Sequence, residues 1–227
     1  MAGNLSDDEL VSLARKVLDI ESRAVSSLAG RLGEDFAKAC RLCHATPGRV
    51  VVTGMGKSGH VSSKIAATLA STGTPAFFMH PAEASHGDLG MITANDTLLA
   101  VSYSGETEEV LTIIPVVKRM GARLVSITGK PGSTLAREAD VHLDVHVDEE
   151  ACPLNLAPTA STTAALAVGD ALAVALLEST GFTEEDFALS HPGGALGKQL
   201  LLHIDEIMHA GAEVPSVGPD TSLADGL

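Results

Sequence analysis

The sequence predicts an α/β fold, a three-layer αβα sandwich around a five-stranded parallel sheet that is preceded by N-terminal helices. Two observations predict it. Short apolar runs alternate along the chain with amphipathic stretches of helical period, which is typical of parallel strands buried on both faces. Glycine-bearing loops follow two of these runs. In such sheets those loops lie at the carboxyl ends of the strands, where ligands bind.

The elements follow in order along the chain. Ser6 and Glu9 form a capping box for a helix that runs to about Leu32, where Gly33 breaks it. A second helix runs to about Ala45. Beyond it, strands are predicted at 49–54, 76–79, 97–102, 123–128 and 141–145, and helices at 58–71, 82–88, 107–120, 133–138 and 158–180, with a shorter one starting at 183.

These elements divide the chain into N-terminal helices (1–45), an α/β domain (46–203) and a C-terminal segment (204–227). The tail of that segment, 210–227, is rich in Gly, Pro and Asp, which is typical of a linker. The long helix over 158–180 opens with hydroxyl residues between 159 and 163. They suit either helix capping and packing or ligand binding.

Composition limits the class of protein. Of 227 residues, 45% are hydrophobic but only 3% aromatic, so the core must be aliphatic. The net charge of -14 argues against nonspecific nucleic-acid binding. We see no unbroken membrane-spanning run and no signal peptide in the polar, acidic stretch Met1–Asp8. We therefore expect a cytoplasmic protein without nucleic-acid or membrane partners.

The cysteines do not form a convincing cofactor site. Cys40, Cys43 and His44 have the spacing of a haem attachment motif, but that attachment occurs in exported proteins. A zinc site would need a second close pair, and Cys152 stands alone. We interpret Cys40 and Cys43 as small apolar residues on a helix.

Two loops carry the functional prediction. Residues 54–59 (GMGKSG) match the dinucleotide fingerprint, but a glycine turn at a helix start also suits phosphate. Residues 102–107 (SYSGET) place hydroxyls beside Gly105 at a second helix start. A dinucleotide site more often has an acid after its second strand, and His80 stands there instead. The two loops favour a sugar phosphate over NAD, although Ser104 could merely cap a helix.

From about Arg49 to Met208 the chain resembles the SIS-domain sugar-phosphate isomerases, in particular the arabinose-5-phosphate isomerases. The resemblance rests on several motifs together, which lie at 54–59, 71–75, 80–81, 85–88, 102–109, 150–154, 158–163 and 190–197. It implies an SIS domain with flavodoxin-like topology. Two CBS repeats usually follow in this family; residues 204–209 look like the opening of the first, and we expect the rest to be missing. Tyr103 departs from the family, where a small polar residue is common.

The resemblance also implies the function. It indicates an aldose–ketose isomerase that interconverts D-ribulose 5-phosphate and D-arabinose 5-phosphate through an enediolate, in the pathway to Kdo and lipopolysaccharide. That chemistry needs an anion cradle, a base and an acid, and no cofactor is required. A homotetramer is implied as well. Two alternatives stay open: a non-catalytic SIS sugar-phosphate sensor, and an isomerase of another sugar phosphate.

Site residues carried over from the resemblance fall into three groups. The substrate-binding set is Gly73, Thr74, His80, His86, Ser102, Ser104, Gly105, Thr107, Thr112 and His146. The catalytic set is Lys57, Glu109, Glu150 and His191. Zinc binding is possible at His80, in a role that we expect to be non-catalytic.

The residues themselves suggest roles within these groups. Lys57 could hold phosphate or the enediolate, and Glu109 lies one helical turn past Gly105. Desolvation could tune Glu150 toward neutral pH as a general base. The sequence does not decide between Glu109, Glu150 and His191 as the base.

Two further histidines are interpreted more simply. His142 and His146 are expected to be surface residues, although His146 lies near a loop that contacts substrate in the family.

Overall fold

The computed structural model describes residues 5–191, Gly193, Met208, residues 217–222 and Ala224. The chain divides into two compact units, Met1–Phe182 and Thr183–Leu227. The first unit holds the sheet and most of the helices. The predicted CBS opening at 204–209, apart from Met208, and most of the predicted 204–227 segment lie outside the described residues, so that domain boundary stays a prediction.

A five-stranded, fully parallel sheet forms the centre of the first unit and confirms the predicted α/β class. Its order is β2-β1-β3-β4-β5, the doubly wound order of flavodoxin-like folds. The strands are β1 (Val50–Gly54), β2 (Ala76–Met79), β3 (Thr97–Val101), β4 (Arg123–Thr128) and β5 (Val141–Asp144). Since all strands run the same way, their carboxyl ends lie at one edge.

Eight α-helices are described in these parts of the chain. They are α1 (Asp7–Leu28), α2 (Glu34–His44), α3 (Gly56–Ser71), α4 (Pro81–Ser85), α5 (Glu108–Met120), α6 (Thr134–Glu138), α7 (Ala160–Thr180) and α8 (Glu184–Ser190). Most match the predicted spans. The main differences are that α1 ends at Leu28, and that the predicted helix over 82–88 is divided by a turn at Gly87 into α4 and a 3-10 turn at Asp88–Met91.

Alternation along the strands fills two apolar layers, one on each face of the sheet. Val50 and Val52 of β1 point into the layer beneath α1, α2, α3 and α7, whereas Val51 points into the layer beneath α4, α5 and α6. All three are at most 1% exposed. The β-branched run that predicted this strand is therefore apolar throughout because both of its faces are buried.

Helix α7 differs from the expectation that no segment could span a membrane. By length and composition alone, Ala160–Thr180 is apolar enough to do so. Half of its most apolar window is buried in the protein, where α7 contacts α1, α2 and α3. Because α7 contacts these three helices, it is the central helix of its layer.

Candidate active site

A cavity of about 290 Å³ lies at the carboxyl edge of the sheet. The ends of β3 and β4 form its apolar floor through Val101 and Ile127, and Val145 extends that floor just beyond β5. Polar side chains line its walls; they are Ser58, Tyr103, Asp148, Glu149, Glu150, Asn155, Ser161 and Thr162. The cavity thus occupies the edge where ligands bind in doubly wound sheets.

Ser102–Thr107, called the hydroxyl loop below, leads from β3 into α5. The Ser102 hydroxyl bonds to the Thr107 hydroxyl at 2.8 Å and accepts the N–H of Gly105 at 3.1 Å. Ser104 accepts the N–H of Glu106 at 3.2 Å, so it stabilises the loop and does not cap α5. Thr107, the N-cap residue, makes no capping bond. The first turn of α5 therefore lacks a side-chain cap and retains donors for an anion.

The sequence suggested that Gly105 helps the loop to bind phosphate, but the structure shows that glycine is needed there for packing. Its φ is +63°, and a Cβ there would collide with Oγ of Ser133, the N-cap of α6. Its N–H turns back to Ser102, and its carbonyl accepts the N–H of Leu135 at 3.1 Å. Gly105 thus allows the loop to pack on α6, and it does not direct its own N–H toward an anion.

Glu150 forms the densest set of hydrogen bonds around the cavity. Its Oε2 accepts the N–H of Thr159 at 2.7 Å, the Thr159 hydroxyl at 3.0 Å and the N–H of Ser161 at 3.2 Å. The N–H of Glu150 donates to Asn155 Oδ1 at 2.8 Å. The carboxylate therefore caps the N-terminus of α7, which the sequence analysis did not foresee. The hydroxyl residues at 159–163 were the available signal for it.

This capping reverses the expected tuning of the Glu150 pKa. Partial burial by itself raises that pKa, but the hydrogen bonds from Ser161 and Thr159 outweigh burial. The net result is a pKa below the ordinary glutamate value. Glu150 is therefore an ionised carboxylate at neutral pH, held by the start of a helix.

Other predicted site residues lie at the same edge of the sheet but outside the cavity lining. Lys57 is exposed in the first turn of α3, and Glu109 is half-buried in the first turn of α5. Thr112 is exposed one turn further, where its hydroxyl donates to the Glu108 carbonyl at 2.8 Å. His146 is exposed just after β5, which confirms the surface interpretation of that histidine.

His80 and His86 flank α4, beyond the end of β2. His86 is exposed, whereas Nδ1 of His80 is buried with no hydrogen-bond partner. That orphaned nitrogen would suit one metal ligand, but the described residues contain no group of three His, Cys, Asp or Glu side chains that could hold a metal. The zinc site predicted at His80 therefore does not fit the described residues of one protomer.

Three predicted site residues are not placed at the carboxyl edge of the first unit by the described structure. Gly73 and Thr74 precede β2 and line a separate hollow of about 100 Å³ at the amino edge of the sheet. His191 follows α8 in the second unit, where its ring stacks on Phe187 at 4.1 Å and Nδ1 bonds to the Phe187 carbonyl at 3.0 Å. Their assignments stay predictions.

His142 is not the surface residue that the sequence suggested. It is half-buried in β5, where Nδ1 bonds to the Ser126 hydroxyl at 3.0 Å and Nε2 is buried without a partner. Burial lowers the pKa of His142.

Cys40 and Cys43 lie on α2, as the sequence predicted. Burial raises the pKa of the Cys43 thiol to about 12, as expected for an inert apolar residue.

Comparison with known proteins identifies the relatives of this arrangement. The SIS domain family matches residues 45–175. The chain is 59% identical over 225 residues to the arabinose 5-phosphate isomerase KdsD of Pseudomonas aeruginosa, across 99% of this chain and 69% of the relative. It is 60% identical to the Yersinia pestis protein of the same name, across 94% of this chain and 65% of the relative. The chain thus spans about two thirds of the length of these relatives.

Solved structures agree with these sequence relatives. The c3406 protein of E. coli CFT073, solved in complex with arabinose 5-phosphate, superposes with a TM-score of 0.80 at 42% identity, across 83% of this chain and 100% of that one. A putative sugar-phosphate isomerase from Listeria monocytogenes superposes with a TM-score of 0.81 at 33% identity, across 84% of this chain and 100% of that one.

Replacing Glu150 by Gln tests the capping geometry through the pH dependence of stability. Because the folded-state pKa of Glu150 is lowered, its stabilising effect is complete above its ordinary value of 4.5 and is lost as pH falls through the folded value. We expect Glu150→Gln to lower the urea midpoint at neutral pH and to converge with the wild type in acid. Glu149→Gln, at an exposed neighbour, is the matched control. If Glu150→Gln lowers the urea midpoint by the same amount at every pH, the capping role is contradicted.

Proposed function

The chain belongs to the SIS-domain family, and on this basis we propose that it is an arabinose 5-phosphate isomerase. It would interconvert D-ribulose 5-phosphate and D-arabinose 5-phosphate through an enediolate intermediate. The observation that carries the proposal is the cavity at the carboxyl edge, which is lined by the ionised Glu150 carboxylate and by Tyr103 of the hydroxyl loop. That loop leads to the uncapped start of α5 at the same edge of the sheet. Identity of 59% to a curated enzyme with that activity supports the choice of substrate.

The substrate phosphate binds, in this proposal, at the hydroxyl loop. Thr107 leaves the first turn of α5 without a side-chain cap, so backbone N–H groups and the helix dipole are available to the phosphate. Ser102, Ser104 and Thr107 add hydroxyl groups that can donate to phosphate oxygens. Lys57, at the start of α3, adds a positive charge at the same edge of the sheet.

Proton transfer between C1 and C2 of the open-chain sugar needs a base near those carbons. Glu150 lines the cavity and is ionised at neutral pH, so it can accept a proton without first losing one. Its lowered pKa makes it a weak base while Thr159 and Ser161 hold it, so substrate binding must weaken those bonds for efficient transfer. Glu109 and His191 are the alternatives, and Lys57 would stabilise the enediolate oxygen.

A homotetramer is the assembly that we propose for this chain. Large apolar side chains stay exposed along the first half of α1, on α7 and in the loop before α7; they are Leu10, Val11, Leu13, Leu18, Val174, Leu154 and Leu156. Where such side chains form a patch together, the patch is typical of protein interfaces. Gly73 and Thr74, which line a separate hollow at the amino edge, and His191, in the second unit, would in this assembly serve the cavity of a neighbouring protomer.

The metabolic setting follows from the proposed reaction. Arabinose 5-phosphate formed by this chain would feed the pathway to Kdo and lipopolysaccharide, in the cytoplasm. The enediolate chemistry itself requires neither a nicotinamide nor a metal ion.

Purified protein is expected to convert ribulose 5-phosphate into arabinose 5-phosphate without added cofactor. Six-carbon sugar phosphates should react much more slowly, and dialysis against a chelator should leave the rate unchanged. The measurement is product quantification by chromatography for each substrate. Binding of arabinose 5-phosphate without turnover would instead identify a sensor, and faster turnover of a hexose phosphate would identify a different isomerase.

Deuterium wash-in at C2 distinguishes the candidate bases. Glu150→Gln should lower the exchange rate by roughly 10²–10⁴ while substrate affinity changes little, as expected for loss of a general base. Glu109→Gln is the matched variant on α5 and should retain most of the exchange. If the two variants behave in the opposite way, the base is Glu109; if both exchange normally, His191 takes the role.

An exposed apolar position on α1 tests the assembly. Leu18 is 67% exposed, so Leu18→Lys should leave the protomer folded but shift light scattering from a tetramer toward smaller species. Asp8→Lys, in the acidic first turn of α1, adds the same side chain outside the apolar set and serves as the control. A wild-type chain that is monomeric and fully active at all concentrations would contradict the tetramer.

A further inference from the structure

Tyr103 lies where the loops after three adjacent strands meet. It follows β3, and its carbonyl accepts the N–H of Gly129, just after β4, at 3.0 Å. Its hydroxyl accepts the N–H of Val147 at 3.1 Å and donates to the carbonyl of the same residue at 3.2 Å. Val147 lies beyond the end of β5. Tyr103 therefore joins the carboxyl ends of β3, β4 and β5.

The ring of Tyr103 is held in place by packing, in addition to the hydrogen bonds of its hydroxyl. A Cβ at position 129 would collide with Cε2 of the ring and lie 2.6 Å from its Cζ, so the ring fills the space that a side chain would otherwise occupy. The ring also packs on the larger apolar layer, and it lines the cavity together with Val147 and Glu150. Glycine at 129 and tyrosine at 103 thus depend on one another.

We propose that Tyr103 is a positioning residue that sets the separation between the hydroxyl loop and the Glu150 carboxylate. Tyr103 belongs to the hydroxyl loop itself, between Ser102 and Ser104. Val147 begins the short segment that ends at Glu150. Because both polar groups of Val147 bond to one hydroxyl, the segment is fixed in direction as well as in distance. The inference rests on the proposed function, which places phosphate at the loop and proton transfer near Glu150.

A fixed separation matters for a substrate that is held at one end and reacts at the other. The phosphate is anchored at the loop, and the number of carbons between it and C2 decides whether the reacting carbon reaches the base. A braced segment favours one chain length, whereas a loose segment accepts several and holds each less well. Positioning errors of about 1 Å can cost on the order of 10² in rate.

Tyr103→Phe removes the hydroxyl and keeps the ring against Gly129. We expect kcat for arabinose 5-phosphate to fall roughly 10-fold or more, because the base is no longer aligned. The inhibition constant of inorganic phosphate should stay unchanged, because the hydroxyls of Ser102, Ser104 and Thr107 are retained. The ratio of kcat/KM for five-carbon over six-carbon sugar phosphates should fall. An unchanged kcat, or a change confined to phosphate affinity, would overturn the proposal.

Thr97→Val is the matched control. It removes the 2.6 Å hydrogen bond between the hydroxyls of Thr97 and Thr46, at the amino edge of the sheet. Like Tyr103→Phe, this substitution removes one part-buried hydroxyl group, but that group lies away from the cavity. We expect a lower urea midpoint and a normal kcat. If Thr97→Val loses as much kcat as Tyr103→Phe, the Tyr103 effect is general destabilisation and the positioning role is wrong.

Gly129→Ala tests the same contact from the other side. The added methyl group must displace the Tyr103 ring, so kcat should fall as it does in Tyr103→Phe. In a Tyr103→Ser variant the added methyl group meets no ring, so Gly129→Ala should lower kcat little further. Additive losses in the double variant would overturn the link between the two residues.

Hydrogen exchange tests the brace without reference to catalysis. Exchange at residues 145–150 should accelerate in Tyr103→Phe and stay at the wild-type rate in Thr97→Val. A wild type without isomerase activity refutes the proposed function; unchanged exchange at 145–150 in Tyr103→Phe refutes the brace.

Discussion

The requirement that parallel strands be buried on both faces governs this structure. A tight turn cannot join two neighbouring parallel strands. Each connection therefore runs back across one face of the sheet, here as a helix, to the edge where the strands begin. Val50, Val51 and Val52 are apolar on both faces for this reason. The same constraint places every helix that follows a strand with its N-terminus at the carboxyl edge. The cavity and the hydroxyl loop therefore lie where backbone donors accumulate.

In the proposed reaction, Glu150 would meet two demands that oppose one another. As a cap it is best when ionised and firmly hydrogen-bonded, which is how Thr159 and Ser161 hold it. As a base it must receive a proton, which those same bonds disfavour. An enzyme can satisfy both if substrate replaces part of the bonding, because the loss of the cap is then compensated by the contacts that the substrate makes. If Glu150 is the base that we propose, the stability of α7 and the basicity of the site are linked through one carboxylate.

Sequence reasoning succeeded where a pattern has a single physical cause. The strand runs and the capping box at Ser6 are local, and the structure confirms them. It failed where the cause lies in a distant contact. Gly105 is explained by Ser133, and the pKa of Glu150 by residues that the chain reaches only after a further loop. His142 was expected at the surface because nothing nearby in sequence shows that Ser126 lies beside it.

The packing of α1 against α7 has a consequence for how the chain folds. These two helices contact one another although α1 begins the first unit and α7 nearly ends it. Contacts between such distant segments require a large loop to close, and topologies rich in them fold slowly. During synthesis, α1 and α2 must wait with their apolar faces uncovered until residues 160–180 have left the ribosome. The layer above β1 is therefore completed last, and chaperones would act on the chain during that interval.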